Sequence, residues 1–378
     1  MIPSLHISGF KLFRDIELPR LGSLNLFVGK NNTGKTCLLE AVELYASGSP
    51  WDMLRIASRR EPDSAKSRRL ESFDPFESDT FLQPLLNIFH REHGRIVMPV
   101  RLSAGNPEGD LQLNWDPMLA DILEHDATFL NVDKNEPSPR KRHLRHILED
   151  GLSLTRGRKK QRPLLLELAM RRHPISEEMR EVEGWRNPDA APVAFLPARG
   201  FTNSEAKRFW DNAQLAGKDE LLVQWLSFIE PEARDLRYIG DSDSGVGVPY
   251  LKMNGDRSRT PLSSMGDGLE RLFHIGLAMV NASGGILLID EFENGLHWEV
   301  QEQLWKALFE AANQFGVQVF ATTHSNDCIR AFMDAQSNLL LSSESYVYRL
   351  ERSGDDTYAH ELLRLGLEAA MRQGVEVR

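Results

Sequence analysis

Gly29-Lys30-Asn31-Asn32-Thr33-Gly34-Lys35-Thr36 stands between the apolar run Leu24-Asn25-Leu26-Phe27-Val28 and a segment, Cys37 to Ala46, whose apolar residues recur at helical spacing. Strand, glycine-rich loop and helix in that order give each position of the pattern G-x-x-x-x-G-K-[ST] a mechanical task. Gly29 and Gly34 let the backbone of Lys30, Asn31, Asn32 and Thr33 wrap closely, so that its N–H groups point at phosphate oxygens. Lys35 reaches the outer phosphates, the Thr36 hydroxyl ligates magnesium, and the helix start adds partial positive charge. A Gly/Asn-rich surface turn would require neither flanking element. The stretch therefore predicts binding of ATP or a close relative together with Mg2+.

Working outward, Leu5 to Phe10 and Arg14 to Leu18 alternate like paired strands, and Ser47-Gly48-Ser49-Pro50 stops the helix after the loop. Residues 51–190 are polar, charged and punctuated by proline, with short apolar stretches at Phe81 to Phe89 and Leu164 to Met170. They are expected to form a large, mostly helical insertion. Val193 to Leu196 reads as another buried strand, Glu220 to Ile229 as a helix, and Arg237 to Ile239 with Val248 to Met253 as a hairpin. The last third runs strand (Gly285 to Ile289), helix (Trp298 to Phe315), strand (Val317 to Thr322), the order of a parallel sheet with crossover helices. Tyr346 to Leu350 and Thr357 to His360 flank a turn as a closing hairpin. The fold class is α/β, with a mixed or parallel sheet and antiparallel N-terminal strands. Residues 1–50 and 190–378 make one ATPase head, with a lobe at about 200–280, and 51–190 are inserted into it.

Three further segments carry chemistry. Ile286 to Ile289 is an apolar strand that ends in Asp290 and Glu291. A strand end beside a phosphate loop is where a magnesium-bound water needs an acid, so Asp290 is the second metal residue. Glu291, turned differently, is placed to take a proton from the water attacking the outer phosphate; capping of the next helix is the plainer alternative. His324 ends the following strand, Ala321-Thr322-Thr323-His324, where a parallel neighbour delivers it to the same rim as a sensor of the terminal phosphate; a lone histidine at a strand end also serves as an ordinary polar residue. Ser264-Met265-Gly266-Asp267-Gly268 precedes a helix that is apolar nearly all round, and on spacing alone it reads as a helix cap.

Composition narrows the setting. A net charge of −10 and a pI near 5.6 argue against a chain that coats nucleic acid all over, yet leave room for a local basic groove. Lys134 to Arg162 holds ten Lys/Arg against three acids and is the segment that would meet duplex DNA, unless it is solvated or faces a protein partner. Cys37 and Cys328 are the sole cysteines, which excludes a disulfide scaffold and a Cys-rich zinc module. His90/His93 and His143/His146 form H-x-x-H pairs that read as surface histidines. With no leader-like N-terminus and no long apolar run, the expected location is cytoplasmic, without a membrane partner.

Gly29 to Thr36, Ser264 to Gly268, Asp290-Glu291-Phe292-Glu293-Asn294-Gly295-Leu296-His297 and Thr322 to Ser325 together resemble the ABC-type ATPases of the OLD family and the RecF/SMC-like group. The resemblance covers roughly residues 1–50 and 190–360, and nothing in the middle region. It implies Lys35 as the phosphate lysine, Thr36 and Asp290 as magnesium ligands, Glu291 as general base and His324 as switch histidine. It implies that Ser264 and Gly266 contact ATP held by a second copy, so that two ATP are sandwiched in a head-to-tail dimer or a larger homo-oligomer. His297 stands where many relatives carry the aspartate of a loop that crosses the dimer, and no coupling glutamine is identifiable, Arg199 being the nearest polar residue. After His324 only 54 residues remain, too few for the nuclease domain of OLD proteins. The expectation is an ATPase subunit of the Septu or PARIS kind, serving antiviral defence by regulating a separately encoded effector or nuclease. The alternative is a RecF-like clamp on duplex DNA.

Overall fold

The computed structural model describes residues 1–48, 53, 55–57, 59, 87–92, 95–115, 152–157, 162–163, 191–227, 230–240, 247–338, 344–373 and 377. Two six-stranded sheets dominate. The first is antiparallel, in the order β2 (Phe13–Leu18), β1 (Leu5–Phe10), β6 (Val100–Ser103), β7 (Leu111–Trp115), β8 (Leu152–Arg156), β9 (Arg162–Pro163). The second runs β10 (Val193–Leu196), β14 (Ile286–Ile289), β15 (Gln318–Thr323), β3 (Leu24–Val28), β16 (Ser345–Ser353), β17 (Asp356–Glu361). All of its pairs are parallel except β16 with β17. Smaller pairings join β4 (Arg91–Glu92) to β5 (Arg95–Ile96), and β11 (Ala233–Gly240) to β12 (Gly247–Met253) and β13 (Thr260–Pro261).

The second sheet is covered on both faces, which is why β3, β14 and β15 are buried without alternation. Leu24, Leu26, Val28, Leu287 and Ile289 pack into one core with the helices α2 (Asn203–Leu215), α3 (Asp219–Ser227), α4 (Asp267–Asn281), α5 (Trp298–Phe315) and α6 (Asn326–Asn338). Phe27, Phe195, Ile286, Leu288 and Phe320 face the other way, into a core shared with α1 (Lys35–Ser47) and the antiparallel sheet. On that side Phe27 stacks between Phe320 and Tyr348, at 6.3 and 5.9 Å between ring centroids. A last helix, α7 (Arg364–Arg372), follows β17.

The α/β class, the closing hairpin and the strand–helix–strand run agree with the sequence reading. The described part of 51–190 adds strands to the N-terminal sheet. Within 51–190 the described residues 91–92, 95–96, 100–103, 111–115, 152–156 and 162–163 are strands, and β6 to β9 extend the N-terminal sheet rather than forming a separate helical body. The reason is register: His6, Ile7 and Ser8 of β1 pair with Ser103, Leu102 and Arg101, so the edge left open by β1 and β2 is closed by the segment that reads as inserted. Phe81 to Leu86, Leu164 to Met170 and most of the basic run fall outside the described residues.

Candidate functional site

The loop at 29–36 is built from backbone that only certain residues allow. φ is +153° at Gly29, +65° at Asn32 and +95° at Gly34. A Cβ on Gly29 would lie 2.6 Å from the Leu350 carbonyl oxygen. Gly34 also precedes α1 without any side-chain cap, so the first amides of that helix stay available for an anion. Thr33 Oγ1 donates to the Lys30 carbonyl at 2.9 Å, and Lys30, Asn31 and Asn32 are exposed. Lys35 is buried, and its ammonium donates to the carbonyls of Gly29 at 2.6 Å and Lys30 at 2.9 Å. Burial lowers its pKa, against the opposing pull of Glu291, Asp290 and Glu293.

Strand order β14, β15, β3 brings the other residues to the same rim. Asp290 is 8% exposed and accepts from Thr36 Oγ1 at 2.9 Å and from Thr322 Oγ1 at 2.8 Å. Burial raises its pKa, and the two hydroxyls partly oppose the rise. One hydroxyl and one carboxylate side by side are hard oxygen donors, which suit Mg2+ sharing its remaining positions with water and phosphate. Among the described residues no cluster of three or more His, Cys, Asp and Glu could hold a metal ion unaided.

Glu291 sits in the left-handed region, φ +47°, held by its amide, its carbonyl and one carboxylate oxygen. Its amide donates to Thr322 Oγ1 at 2.8 Å, and its Oε2 accepts from Asn294 Nδ2 at 2.7 Å. Its carbonyl accepts from Arg271 at 2.9 Å. The next residue, Phe292, is fully buried and stacks 3.8 Å from Trp305, which pins the turn to α5. His324 Nδ1 lies 4.0 Å from Glu291 Oε1 and 3.1 Å from Glu293 Oε1. Lys35, Thr36, Asp290, Glu291 and His324 are thus assembled in one place.

Arg271, in α4, escaped the sequence reading. Its guanidinium is buried and donates to the carbonyls of Pro197, Asp290 and Glu291 at 2.9, 2.8 and 2.9 Å. Burial lowers its pKa to about 10 although three carboxylates surround it. An arginine one turn into an apolar helix was the only available signal. Arg199, the neighbour of the missing glutamine, is half exposed and pairs with Glu205.

Ser264 and Gly266 stand apart from this rim. Leu262–Met265 is a 3-10 turn, and Gly266, at φ +100° and ψ 154°, caps α4 without a side-chain bond. Both are exposed, and among the described residues no hydrogen bond ties either to 29–36. A Cβ on Gly268 would lie 3.2 Å from the Gly295 carbonyl oxygen, so this segment packs on the turn that follows Glu291. His297 is exposed at the start of α5, 3.5 Å from Glu299.

Two readings change. His90 is buried, with Nδ1 2.8 Å from the Lys11 carbonyl oxygen, and is no surface histidine. Arg156, counted in the basic run, is turned inward: it donates to the Tyr45 carbonyl and lies 5.7 Å from that ring, at the C-terminal end of α1 where a cation is favoured. Among the described residues no helix is long and apolar enough to cross a membrane.

Residues 24–327 match the family model described as "AAA domain, putative AbiEii toxin, Type IV TA system". The chain is 22% identical over 340 residues to an ATP/GTP phosphatase of Helicobacter pylori, a match that covers 87% of this chain and 86% of that protein. It is 23% identical over 345 residues to the OLD nuclease of Thermus scotoductus, covering 86% of this chain but 59% of the nuclease. Of solved structures, an Smc head bound to the C-winged helix domain of ScpA matches over 98% of this chain and 99% of that one, with 12% identity and a TM-score of 0.46.

Proposed function

Because the chain belongs to the AAA-domain family that its residues 24–327 match, and is an ATPase, we propose that it is of the OLD and SMC-like type, that two copies close head to tail around ATP and that this closure governs a separate effector, a nuclease foremost, in defence against phage. One observation carries the reading. Lys35, Thr36, Asp290, Glu291 and His324 share a rim, while Ser264 and Gly266 lie exposed on a face that, among the described residues, has no hydrogen bond to the loop at 29–36. A site so divided is completed by the corresponding face of another copy. The link to a toxin-like or nuclease effector draws support from the family's description and from the likeness to an OLD nuclease.

In this reading the loop amides and Lys35 hold the phosphates, and Thr36 with Asp290 hold Mg2+, which supplies positive charge against the phosphate oxygens. Glu291 accepts the proton of the attacking water, its carboxylate held by Asn294, and His324 monitors the outer phosphate beside it. The clamp alternative uses the same head. It leans on the basic run of 134–162, from which Arg156 is already committed to α1.

Glu291→Gln tests the core of the proposal. The variant is expected to bind ATP, elute as a dimer or larger assembly in its presence, and cease turnover. Unchanged hydrolysis would remove Glu291 from the base role. Co-purification of the chain with the product of a neighbouring gene supports effector control, whereas salt-dependent binding of duplex DNA by the chain alone supports the clamp.

A further inference from the structure

The turn after Asp290 carries a second carboxylate that the reading above leaves without a task. Glu293 lies two residues beyond Glu291, its side chain 10% exposed. One oxygen, Oε1, accepts from the His324 backbone amide at 2.9 Å and lies 3.1 Å from the Nδ1 of the same residue's ring. The other, Oε2, is buried and has no hydrogen-bond partner among the described residues. A carboxylate kept only to satisfy the His324 amide is a poor choice, since a neutral amide side chain would accept the same bond without burying a charge. Its field nevertheless reaches both Lys35 and Arg271.

Geometry supplies the missing reason. The His324 ring nitrogen that faces the turn lies near two carboxylates, Glu293 at 3.1 Å and Glu291 at 4.0 Å. Glu291 Oε2 accepts from Asn294 at 2.7 Å, and its Oε1 is the oxygen that faces the imidazole. An imidazole docked on Glu291 would occupy the oxygen that has to receive the water's proton.

We infer that Glu293 is a positioning residue of ATP hydrolysis, seating His324 by both backbone and ring and keeping the imidazole off the Glu291 carboxylate. The inference rests on the assignment of His324 and Glu291 to the hydrolytic site. Glu293 touches neither nucleotide nor water in this account. It acts through His324, and that predicts a specific pattern of kinetics.

The test is steady-state hydrolysis of magnesium–ATP by the full chain as wild type, Glu293→Gln, His324→Ala and the double variant. Glutamine keeps an acceptor for the His324 amide. Glu293→Gln is expected to lower kcat at least about tenfold with KM for ATP within about threefold, and to lower it no more than about twofold further when His324 is already alanine. Losses that multiply in the double variant would overturn the inference while leaving His324 in the site. A rise in KM, a loss of fold or an unchanged kcat in Glu293→Gln would overturn it as well. Unchanged turnover in His324→Ala would remove His324 from hydrolysis and take the inference with it.

Discussion

Replacing Asp290 by asparagine should separate two demands that meet on one side chain. The carboxylate is 8% exposed and accepts hydroxyls from Thr36 and Thr322 at 2.9 and 2.8 Å. Removing an ionised carboxylate from water costs several kcal/mol. Two hydrogen bonds to a charged acceptor return about 1.5–3 kcal/mol each. The opposing quantities nearly cancel, and the raised pKa says that desolvation holds the edge. Asparagine has the same shape, can still accept from a hydroxyl, and carries no charge. In EDTA at neutral pH the variant is therefore expected to be more stable than wild type by about 1 kcal/mol, a rise of about 1–3 °C in Tm. With magnesium and a non-hydrolysable ATP analogue at about 100 times Kd, wild type should gain about 2.7 kcal/mol by linkage, and the variant only a fraction of it. The order of stabilities then reverses. The pH dependence has a definite sign: a carboxyl whose folded pKa is raised above the ordinary 3.8 contributes stability that is complete below that value and is lost as pH rises through the folded one. The gap between variant and wild type in EDTA should accordingly close on acidification and open above the folded pKa. Thermal melts with and without magnesium measure all of this. A variant more than about 2 kcal/mol less stable in EDTA, or one that keeps the full magnesium-dependent gain, would refute the account of Asp290 as a strained ligand.

Arg271→Met tests the clamp on the catalytic turn: three donations of 2.8 to 2.9 Å, at about 1.5–3 kcal/mol each, outweigh the burial that lowers the guanidinium to about 10, itself about 3 kcal/mol. Urea melts should show a loss of about 3 kcal/mol, with kcat falling at least about tenfold because Glu291 is freed from its strained conformation; wild-type turnover would show the clamp to be idle. His274, whose pKa is pushed from 6.5 down to about 4 by burial and then by Arg271, is neutral in the fold. A depressed pKa contributes stability above the unfolded value and loses it as pH falls, here about 3 kcal/mol between roughly pH 6.5 and 4. His274→Asn should flatten that acid limb in urea midpoints taken at several pH values, and parallel curves would contradict the burial account.

What could be read from the sequence was what chemistry confines to fixed types at fixed spacing. Gly29, Gly34, Lys35 and Thr36 are dictated by close backbone approach to phosphate, and Asp290 with Glu291 by their place after a wholly apolar strand. His324 followed from strand adjacency, which the β14–β15–β3 order bears out. Residues that act through tertiary contact left little trace. Thr322, Asn294 and Arg271 hold Asp290 and Glu291 by bonds spanning from 3 to 32 positions in the chain, and no periodicity announces them. Arg156 was counted as a surface charge because a sequence shows a cation but not the helix end it caps. Strands β6 to β8 give little signal for a related reason: each is short, and each becomes a strand by completing an edge that its neighbour presents, β6 on β1, β7 on β6 and β8 on β7.

The place of β3 in its sheet has a consequence for how the molecule comes into being. The strand that feeds the phosphate loop leaves the ribosome some 294 residues ahead of its neighbour β15, and β16 comes later still. Asn25 and the Val319 carbonyl it bonds are 294 residues apart. At about 5–20 residues per second, the early strand waits roughly 15–60 s for its partners, with an apolar segment exposed to misassociation. Until β15 and β16 have been synthesised the phosphate loop has no sheet to stand on, and products truncated before them are expected to be clients of chaperones rather than competitors for ATP.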